Sequence, residues 1–207
     1  MAKKSSAPLL ILISAPSGGG KTTLCQQLLK ARPAMTRAIT CTTRPPRKGE
    51  RNGVDYHFFT AEDFLKRLHA GNFLEHATVY GNSYGILKSE LLGKLREGKD
   101  VLLNVDVQGA ATIREQAENE PELKRALVTV FLTPTPLAVL EDRLKKRAAD
   151  SPVAIQKRLA VARQEIAQWK NFDYLLLSTT KLEDLRRTLA IVEAEKMRSS
   201  RSQPPEF

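Results

Sequence analysis

A glycine-rich segment that directly follows an apolar stretch is the part of this sequence with the clearest chemistry. Residues 9–23 read LLILISAPSGGGKTT: the apolar residues stop abruptly, three glycines follow, and Lys21 and Thr22 open a helical pattern. Backbone N–H groups of such a loop can surround phosphate oxygens, and the next helix points the positive end of its dipole at the same place. The lysine reaches the outer phosphates of a nucleoside triphosphate, and the hydroxyl after it holds Mg²⁺. We therefore predict that a nucleoside triphosphate, with Mg²⁺ as cofactor, binds to Ala15, Pro16, Ser17, Gly18, Gly19, Gly20, Lys21, Thr22 and Thr23.

The first position of the usual loop pattern, G-x-x-x-x-G-K-[ST], is occupied here by Ala15. The order of strand, loop and helix and the consecutive glycines favour a phosphate loop in spite of this change. The alternative is an ordinary glycine turn that happens to precede a lysine. The pattern predicts the class of ligand and leaves the reaction open.

An aspartate ends a second apolar segment. Residues 101–106 read VLLNVD, which predicts a buried strand that ends at Asp106. An acidic residue at this position holds the magnesium shell in phosphate-loop proteins, where Mg²⁺ is bound mainly by phosphate and water oxygens. Asp106 is therefore a candidate for the metal site together with Thr22. The alternative is an aspartate that only caps the next helix.

Arginines on a proline-stiffened segment predict a second phosphate site. Residues 40–47 read TCTTRPPR, in which two prolines separate Arg44 from Arg47. Prolines reduce the entropy lost when a loop is ordered, and each guanidinium is a planar fork suited to phosphate oxygens. Tyr56 follows shortly afterwards and has a hydroxyl that can bond to the same phosphate. A merely exposed basic loop is the alternative.

The alternation of apolar and turn segments indicates how these residues are positioned. It predicts an α/β fold with a three-layer core around a mainly parallel sheet, of the phosphate-loop nucleoside triphosphate hydrolase-like class. Ligands bind such sheets at the carboxyl ends of the strands, where the glycine-rich loop and Asp106 both lie. Strands are predicted at 9–14, 101–106, 126–132 and 174–178, and helices at 22–31, 60–71, 88–97, 110–119, 135–147, 154–171 and from 180 onward.

Residues 38–94 differ in character, because short apolar pieces alternate there with Gly, Asn and aromatic residues. This pattern predicts a small, mixed and mostly β insert within a core formed by 1–37 and 95–207. Thr135 and Pro136 are expected to be the cap and the first residue of a helix. The polar end, 199–207, is expected to form a flexible tail.

The composition narrows the class of protein. Of the 207 residues, 42% are hydrophobic and 27% charged, which is ordinary for a globular protein, and the net charge is +10. No apolar run approaches the roughly 20 residues of a membrane span, so we expect a cytoplasmic protein without membrane contact. The basic charge suits nucleic acid or polyanionic nucleotides, and the low aromatic content of 6% favours nucleotides. Cys25 and Cys41 lack metal-ligand spacing and are expected to be reduced.

From Leu9 to about Met197 the sequence resembles guanylate kinase, a family of phosphate-loop nucleoside monophosphate kinases. The segment at 42–59 and the segment at 73–85 are specific to this family among phosphate-loop kinases. The resemblance implies transfer of the γ-phosphoryl group of ATP to GMP, giving ADP and GDP, with Mg²⁺, in purine nucleotide metabolism. It also implies that 38–94 is a GMP-binding insert and that a short lid lies at about 143–159. The motifs are SAPSGGGKTTL (14–24), TTRPPRKGERNGVDYHFF (42–59), FLEHATVYGNSYG (73–85), VDVQGA (105–110) and RLKKR with IQKRL (143–159).

The resemblance also implies roles for individual residues. Glu75 matches the carboxylate that reads guanine, which agrees with its chemistry, because guanine presents N1–H and N2–H₂ side by side and a carboxylate only accepts. Adenine lacks this pair of donors, so an unpaired buried Glu75 would disfavour AMP. The positions that match GMP contacts are Thr40, Arg44, Arg47, Tyr56, Glu75, Tyr84, Asn104 and Asp106. The positions that match catalytic residues are Lys21, Arg44, Arg143, Arg147 and Arg158.

Some positions depart from the family's pattern. Asn104 stands where an aspartate is usual, so an acceptor remains but the charge is lost. Ile86 replaces a serine or threonine, which removes one hydroxyl near GMP. Ala148 replaces the usual glycine after the lid arginine, and Ser178 stands where an asparagine is usual near adenine. We expect a working enzyme with altered affinities, because the residues retained are Lys21, Arg44, Arg47, Glu75 and Asp106.

Other functions stay open at this point. One is a related phosphate-loop kinase that acts on another phosphorylated acceptor. Another is a non-catalytic guanylate-kinase-like module that binds phosphorylated protein segments, although the intact Lys21 and Thr22 argue against it. A third is nucleic-acid binding through the basic surface as a side activity, but we expect no specific nucleic acid as partner.

Overall fold

Strands and helices alternate along the chain. The structure, a computed structural model, describes residues 7–79, 81–147 and 152–202. Two short 3-10 turns, Gln168–Asn171 and Ser199–Arg201, lie near the C-terminus. In chain order the elements are β1 (Leu10–Ser14), α1 (Lys21–Ala31), β2 (Thr36–Arg37), β3 (Cys41–Thr42), β4 (His57–Phe58), α2 (Ala61–His69), β5 (Phe73–Val79), β6 (Asn82–Leu87), α3 (Lys88–Arg96), β7 (Val101–Asn104), α4 (Val107–Glu118), α5 (Pro121–Ala126), β8 (Leu127–Pro134), α6 (Leu137–Arg147), α7 (Pro152–Ala167), β9 (Tyr174–Ser178) and α8 (Lys181–Lys196).

The core sheet has five strands in the order β2-β7-β1-β8-β9, and each neighbouring pair is parallel. Strand β1 is central and completely buried, which explains its continuous apolar sequence, because both faces of a parallel sheet are covered. Leu10 and Leu12 pack against residues of α3, α4 and α5. Ile11 and Ile13 pack on the other side, with residues of α1 and α8. The predicted three-layer α/β core is therefore confirmed.

A smaller sheet lies within the predicted insert. Its strand order is β4-β3-β6-β5, with β3 parallel to β4 and β6 antiparallel to both β3 and β5. Phe64 of α2 stacks on Phe73 of β5 with 4.4 Å between the ring centres, and this contact packs the helix against the sheet. Thr60 caps α2, because its hydroxyl accepts a hydrogen bond from the Asp63 N–H at 3.0 Å. The small sheet is mixed, as the sequence predicts.

Some element boundaries differ from the prediction. Helix α4 begins at Val107 rather than 110, because Asp106 caps it. An unpredicted helix, α5, lies directly before the third strand and includes Ala126, where that strand was expected to begin. Strand β8 therefore begins at Leu127, and it extends to Pro134 because it stays paired with Ser178 of β9. Helix α6 consequently begins at Leu137. The expected cap at 135 and first helical residue at 136 are therefore wrong.

The C-terminal segment is packed further than expected. The Arg201 side chain is buried and forms an ion pair with Glu195. Its guanidinium also donates to the carbonyl oxygens of Arg125 and Leu127, at 3.0 and 3.2 Å. The expected flexible tail is therefore wrong for residues 199–201, and residues 203–207 lie outside the described residues.

Both cysteines lie inside the protein. Cys25 and Cys41 are both free and buried. Burial raises the pKa of each thiol to about 12, which leaves both as uncharged packing groups.

Across 7–79, 81–147 and 152–202, none of the helices has both the length and the apolar content required to cross a bilayer.

Candidate active site

The loop between β1 and α1 turns tightly at its glycines. Gly18 and Gly20 have φ angles of 82° and 100°, in the left-handed region that favours glycine. The Gly19 N–H donates to the Pro16 carbonyl at 2.9 Å, and a Cβ on Gly19 would lie 2.9 Å from both that oxygen and the Cβ of Ala15. The absence of a side chain at position 19 thus leaves room for the Ala15 methyl group. This explains why the loop accepts alanine at its first position.

Lys21 and Asp106 line one cavity together with the loop, which we call the phosphate-loop cavity. Lys21 Nζ donates to the Val105 carbonyl at 2.7 Å. Burial lowers the pKa of Lys21, and the charge of Asp106 opposes this effect. Asp106 Oδ1 accepts the Gly109 N–H at 2.8 Å and so caps α4. Because the cap uses one carboxylate oxygen, Asp106 can be both a helix cap and part of a metal shell.

The predicted nucleotide residues lie around this cavity. The Thr22 hydroxyl and the Asp106 carboxylate supply hard oxygen donors, the ligand type that Mg²⁺ prefers, and both residues line the cavity into which phosphates would bind. The donor set therefore fits Mg²⁺ shared between protein, water and phosphate oxygens. The residues that the structure brings together here are Ala15, Pro16, Ser17, Gly18, Gly19, Gly20, Lys21, Thr22, Thr23 and Asp106.

A carboxylate that the sequence analysis missed also lines the phosphate-loop cavity. Glu165, in the last turn of α7, accepts a hydrogen bond from the Ser17 backbone N–H at 3.2 Å. Burial raises the pKa of Glu165, and the Ser17 hydrogen bond opposes this rise. The two residues are 148 positions apart in the chain, so no local spacing could have linked them.

A second cavity shares Gly18, Gly20 and Thr23 with the first. Arg143 of α6 lines it, and one guanidinium nitrogen lies 3.6 Å from the position that a Cβ on Gly20 would take. The structure thus places this predicted arginine beside the loop. The other residues that line this cavity are Leu24, Gln27, Ser178, Thr179, Lys181 and Asp184.

Ser178, one of the departures from the family's pattern, belongs to the wall of this second cavity. Its side chain is buried, and its hydroxyl donates to an Asp184 carboxylate oxygen at 2.6 Å. The other Asp184 oxygen accepts the Thr179 N–H at 3.1 Å. The Ser178 hydroxyl therefore uses its only donor within the protein, and it could contact adenine only as an acceptor.

Arg44 of the insert is held by several partners. Its guanidinium donates to the Pro45 carbonyl at 2.7 Å and to Glu50 Oε1 at 2.9 Å, and its Cζ lies 5.4 Å from the centre of the Tyr56 ring. The Tyr84 ring meets Tyr56 edge-on, with 6.4 Å between the ring centres. The structure thus brings Arg44, Tyr56 and Tyr84 together, as the sequence predicts for an acceptor-phosphate site.

Glu50, which the sequence analysis missed, organises this arginine loop. Its second carboxylate oxygen accepts the Arg47 backbone N–H at 2.7 Å. The hydrogen bond from Arg44, and then the one from the Arg47 backbone, hold the pKa of Glu50 below its ordinary value. The Arg47 side chain itself is exposed. One carboxylate therefore fixes both the shape of the loop and the direction of the Arg44 fork.

Glu75 lies on β5 beside the first turn of α4. A Cβ added to Gly109 would lie 3.3 Å from Glu75 Cγ and 3.4 Å from Asp106 Oδ1. Burial, and then the charge of Asp106, raises the pKa of Glu75 to about 7. Glu75, the carboxylate expected to bind guanine, therefore lies next to Asp106, which caps α4 and lines the phosphate-loop cavity.

A third cavity, which we call the α1–insert cavity, lies between α1 and the small sheet. Thr40, Ile86 and Asn104 all line it, and so does Thr22, which also lines the phosphate-loop cavity. The predicted GMP contacts Thr40 and Asn104 therefore share one cavity with the departure at Ile86. The remaining residues around it are Cys25, Gln26, Leu29, Arg37, Ala38, Leu102 and Leu103.

The predicted lid corresponds to parts of α6 and α7. These helices pack against each other through Leu140, Leu159 and Ala162. Arg158 is exposed on α7. Arg147 ends α6, but its side chain lies outside the described residues, as does all of Ala148.

A parallel sheet with a phosphate loop after its central strand is common to many nucleotide-binding proteins. The separate arginine site in the insert adds a place for a phosphorylated acceptor, which a simple hydrolase does not need. The fold and the two sites together define a phosphate-loop kinase for a small phosphorylated acceptor.

Comparison with known proteins narrows this class. The family model for guanylate kinase matches residues 7–195. The guanylate kinase of Coxiella burnetii is 41% identical over 188 residues, covering 91% of this chain and 88% of the relative. That of Idiomarina loihiensis is 42% identical over 186 residues, covering 89% and 83%. A crystal structure of guanylate kinase from Anaplasma phagocytophilum has a TM-score of 0.70 at 30% identity, covering 95% of this chain and 90% of the other. The chain belongs to the guanylate kinase family.

Proposed function

We propose that this protein transfers the γ-phosphoryl group of ATP to GMP, giving ADP and GDP. Membership of the guanylate kinase family supports the reaction. The observation that carries the proposal is the position of Glu75, whose pKa is raised by burial and by the charge of Asp106. Because Asp106 also lines the phosphate-loop cavity, the carboxylate that suits guanine lies next to the site that suits the donor phosphates.

ATP binds with its phosphates in the phosphate-loop cavity and its nucleoside toward the second cavity. The loop N–H groups and Lys21 hold the phosphates, and Arg143 adds positive charge from α6. Mg²⁺ is the cofactor in this proposal, held by the Thr22 hydroxyl and, through water, by Asp106. When bound, it neutralises charge on the phosphate oxygens.

GMP binds in the insert. Arg44 and Arg47, with the hydroxyls of Tyr56 and Tyr84, hold the acceptor phosphate, and the Arg44 fork is already oriented by Glu50. Glu75 accepts the paired N–H donors of guanine. The polar groups of the α1–insert cavity that contact the base are Thr40 and Asn104.

The chemistry requires positioning and charge more than proton transfer. The acceptor is a phosphate oxygen that is already ionised, so no general base is needed. Phosphoryl transfer is accelerated mainly by alignment of donor and acceptor and by neutralisation of developing charge. The side chains that provide that charge are Lys21, Arg44, Arg143, Arg147 and Arg158. Closure of insert and lid excludes water, so that ATP reacts with GMP rather than being hydrolysed.

The test is a coupled assay of ADP release with ATP, Mg²⁺ and each of GMP, AMP, CMP and UMP. We expect turnover with GMP alone. Turnover with another nucleotide would keep the assignment as a kinase and reject the role of Glu75 in guanine recognition. No turnover with any of the four would favour a different acceptor or a binding module. ATP hydrolysis without GMP as fast as turnover with GMP would reject the closure step.

The cytoplasm is the compartment that we propose for this activity. Two buried, reduced cysteines suit a reducing compartment.

A further inference from the structure

Glu165 occupies an unusual position for an acidic residue. The phosphate loop is built to bind anions, through its backbone N–H groups and Lys21. In this structure the Ser17 N–H donates to the Glu165 carboxylate at 3.2 Å. The charge of Lys21 acts on the same carboxylate and lowers its pKa against the larger rise caused by burial. The Ser17 N–H, which a nucleotide phosphate would use, is therefore already bonded to an anion that belongs to the protein, and the charge of Lys21 acts on the same anion.

The element that carries Glu165 connects this contact to the lid. Glu165 and Arg158 are seven residues apart on α7, so they lie on the same side of the helix, about 10 Å apart along its axis. The middle of α7 packs on α6 through Leu159 and Ala162, and α6 carries Arg143. The helix that carries Glu165 and Arg158 and the helix that carries Arg143 therefore form one packed unit.

We propose that Glu165 is an internal substitute for a nucleotide phosphate: it occupies the Ser17 N–H while the loop is empty, and ATP displaces it and so releases α7 for lid closure. ATP and Glu165 cannot both use this N–H group, and their like charges repel each other across the cavity. Glu165 is thus a positioning residue for the lid and a competitor of the nucleotide. The inference rests on the nucleotide site of the proposed function, but it does not depend on GMP as acceptor.

The first test is ADP binding measured by calorimetry without divalent cations. Glu165→Gln keeps the size of the side chain and removes its charge, so ADP should bind more tightly by roughly fivefold or more, the lower end of ordinary coupling between two binding events. Glu118→Gln is the matched control, because it removes the same charge from an exposed surface pair with Lys124. Its ADP affinity should equal that of the unmodified protein. Unchanged or weaker ADP binding by Glu165→Gln would overturn the proposal.

A second measurement uses the unmodified protein and stands even if the variant does not fold. Trp169 is the only tryptophan of the sequence and lies in the 3-10 turn directly after α7, four residues from Glu165. Displacement of Glu165 should change Trp169 emission in step with ADP binding. ADP binding without an emission change would overturn the proposal alone. Failure to bind ADP would overturn the nucleotide site and this proposal together, whereas failure to use GMP would affect neither measurement.

Discussion

Replacing Glu75 by glutamine should change stability and GMP use in opposite directions. In the folded protein burial, and then the charge of Asp106, raises the pKa of Glu75 from 4.5 to about 7. The folded state therefore binds more protons than the unfolded chain between these pH values. Its free energy of unfolding falls as pH rises through this window, and the full cost of the ionised carboxylate is present above about pH 7.

The magnitude follows from the size of the pKa shift. A rise from 4.5 to about 7 corresponds to about 3 kcal/mol. Solvent screening of a partly exposed side chain reduces this to on the order of 1–2 kcal/mol. Glutamine keeps the shape and has no charge, so Glu75→Gln should raise the free energy of unfolding by that amount at pH 8. The difference should narrow toward pH 5, where the folded wild-type side chain is protonated.

The effect on GMP use has the reverse sign. An amide at position 75 presents only one acceptor atom to the two donors of guanine, so kcat/KM for GMP should fall by roughly 10- to 100-fold at pH 8. In the proposed function, guanine binds to the ionised form of Glu75. The KM for GMP should therefore be flat above about pH 7 and rise by up to about tenfold per unit below it. This rise should disappear in the variant.

Two assays decide the matter. Thermal unfolding at pH 5, 6 and 8 gives the stability difference, and coupled ADP release over the same range gives the KM for GMP and for ATP. Glu118→Gln again controls for the loss of a charge at the surface, and should leave both quantities unchanged. If Glu75→Gln lowers stability and activity together, or if its stability difference is independent of pH, the reasoning from burial is refuted.

Three further substitutions test the geometry of the sites. Gly19→Ala places a methyl carbon 2.9 Å from a loop carbonyl oxygen, so ADP affinity measured by calorimetry should fall by about tenfold or more. Gly109→Ala brings a methyl carbon within 3.3 Å of Glu75, so the KM for GMP should rise by roughly fivefold in steady-state kinetics, with that for ATP unchanged. Glu50→Gln loosens the Arg44 fork, so the KM for GMP should rise while kcat changes little; an unchanged KM would contradict this role of the carboxylate.

The parts of the site that could be predicted from sequence depend on short spacing. The phosphate loop is a local structure in which glycines, lysine and threonine adjoin, so the pattern contains most of its geometry. The position of Asp106 after an apolar strand is also a local feature, although strand β7 ends at Asn104 rather than at Asp106. Asp106 caps α4, which begins three residues earlier than the apolar pattern suggests. The parallel order of strands follows from their alternation with helices. At these positions the predicted elements agree with the structure, because the local geometry depends on few long-range contacts.

The parts that could not be predicted arise from long-range packing. Glu165 reaches Ser17 across 148 residues, and its neighbours in the sequence indicate only a basic helix. Arg201 lies in a polar tail, yet it is buried against Glu195 and the backbone carbonyls of Arg125 in α5 and Leu127 in β8. Glu50 looks like an ordinary acidic residue in a basic loop. In each case one charged side chain takes its role from partners that the fold supplies.

Asn104 and Ile86 show that the effect of a substitution at one position depends on the residues packed around it. Taken separately, one lacks the charge of the usual aspartate and the other lacks a hydroxyl. In the structure both line the α1–insert cavity with Thr40, where the proposed function places the base. Compared with the family's pattern, the wall of this cavity therefore lacks one charge and one hydroxyl. The Asn104 amide can donate as well as accept, and so it can pair with a guanine carbonyl instead of a guanine donor. The negative charge offered to the guanine donors is then concentrated in Glu75. Discrimination between GMP and AMP should accordingly depend more on Glu75 here than in relatives that keep the aspartate.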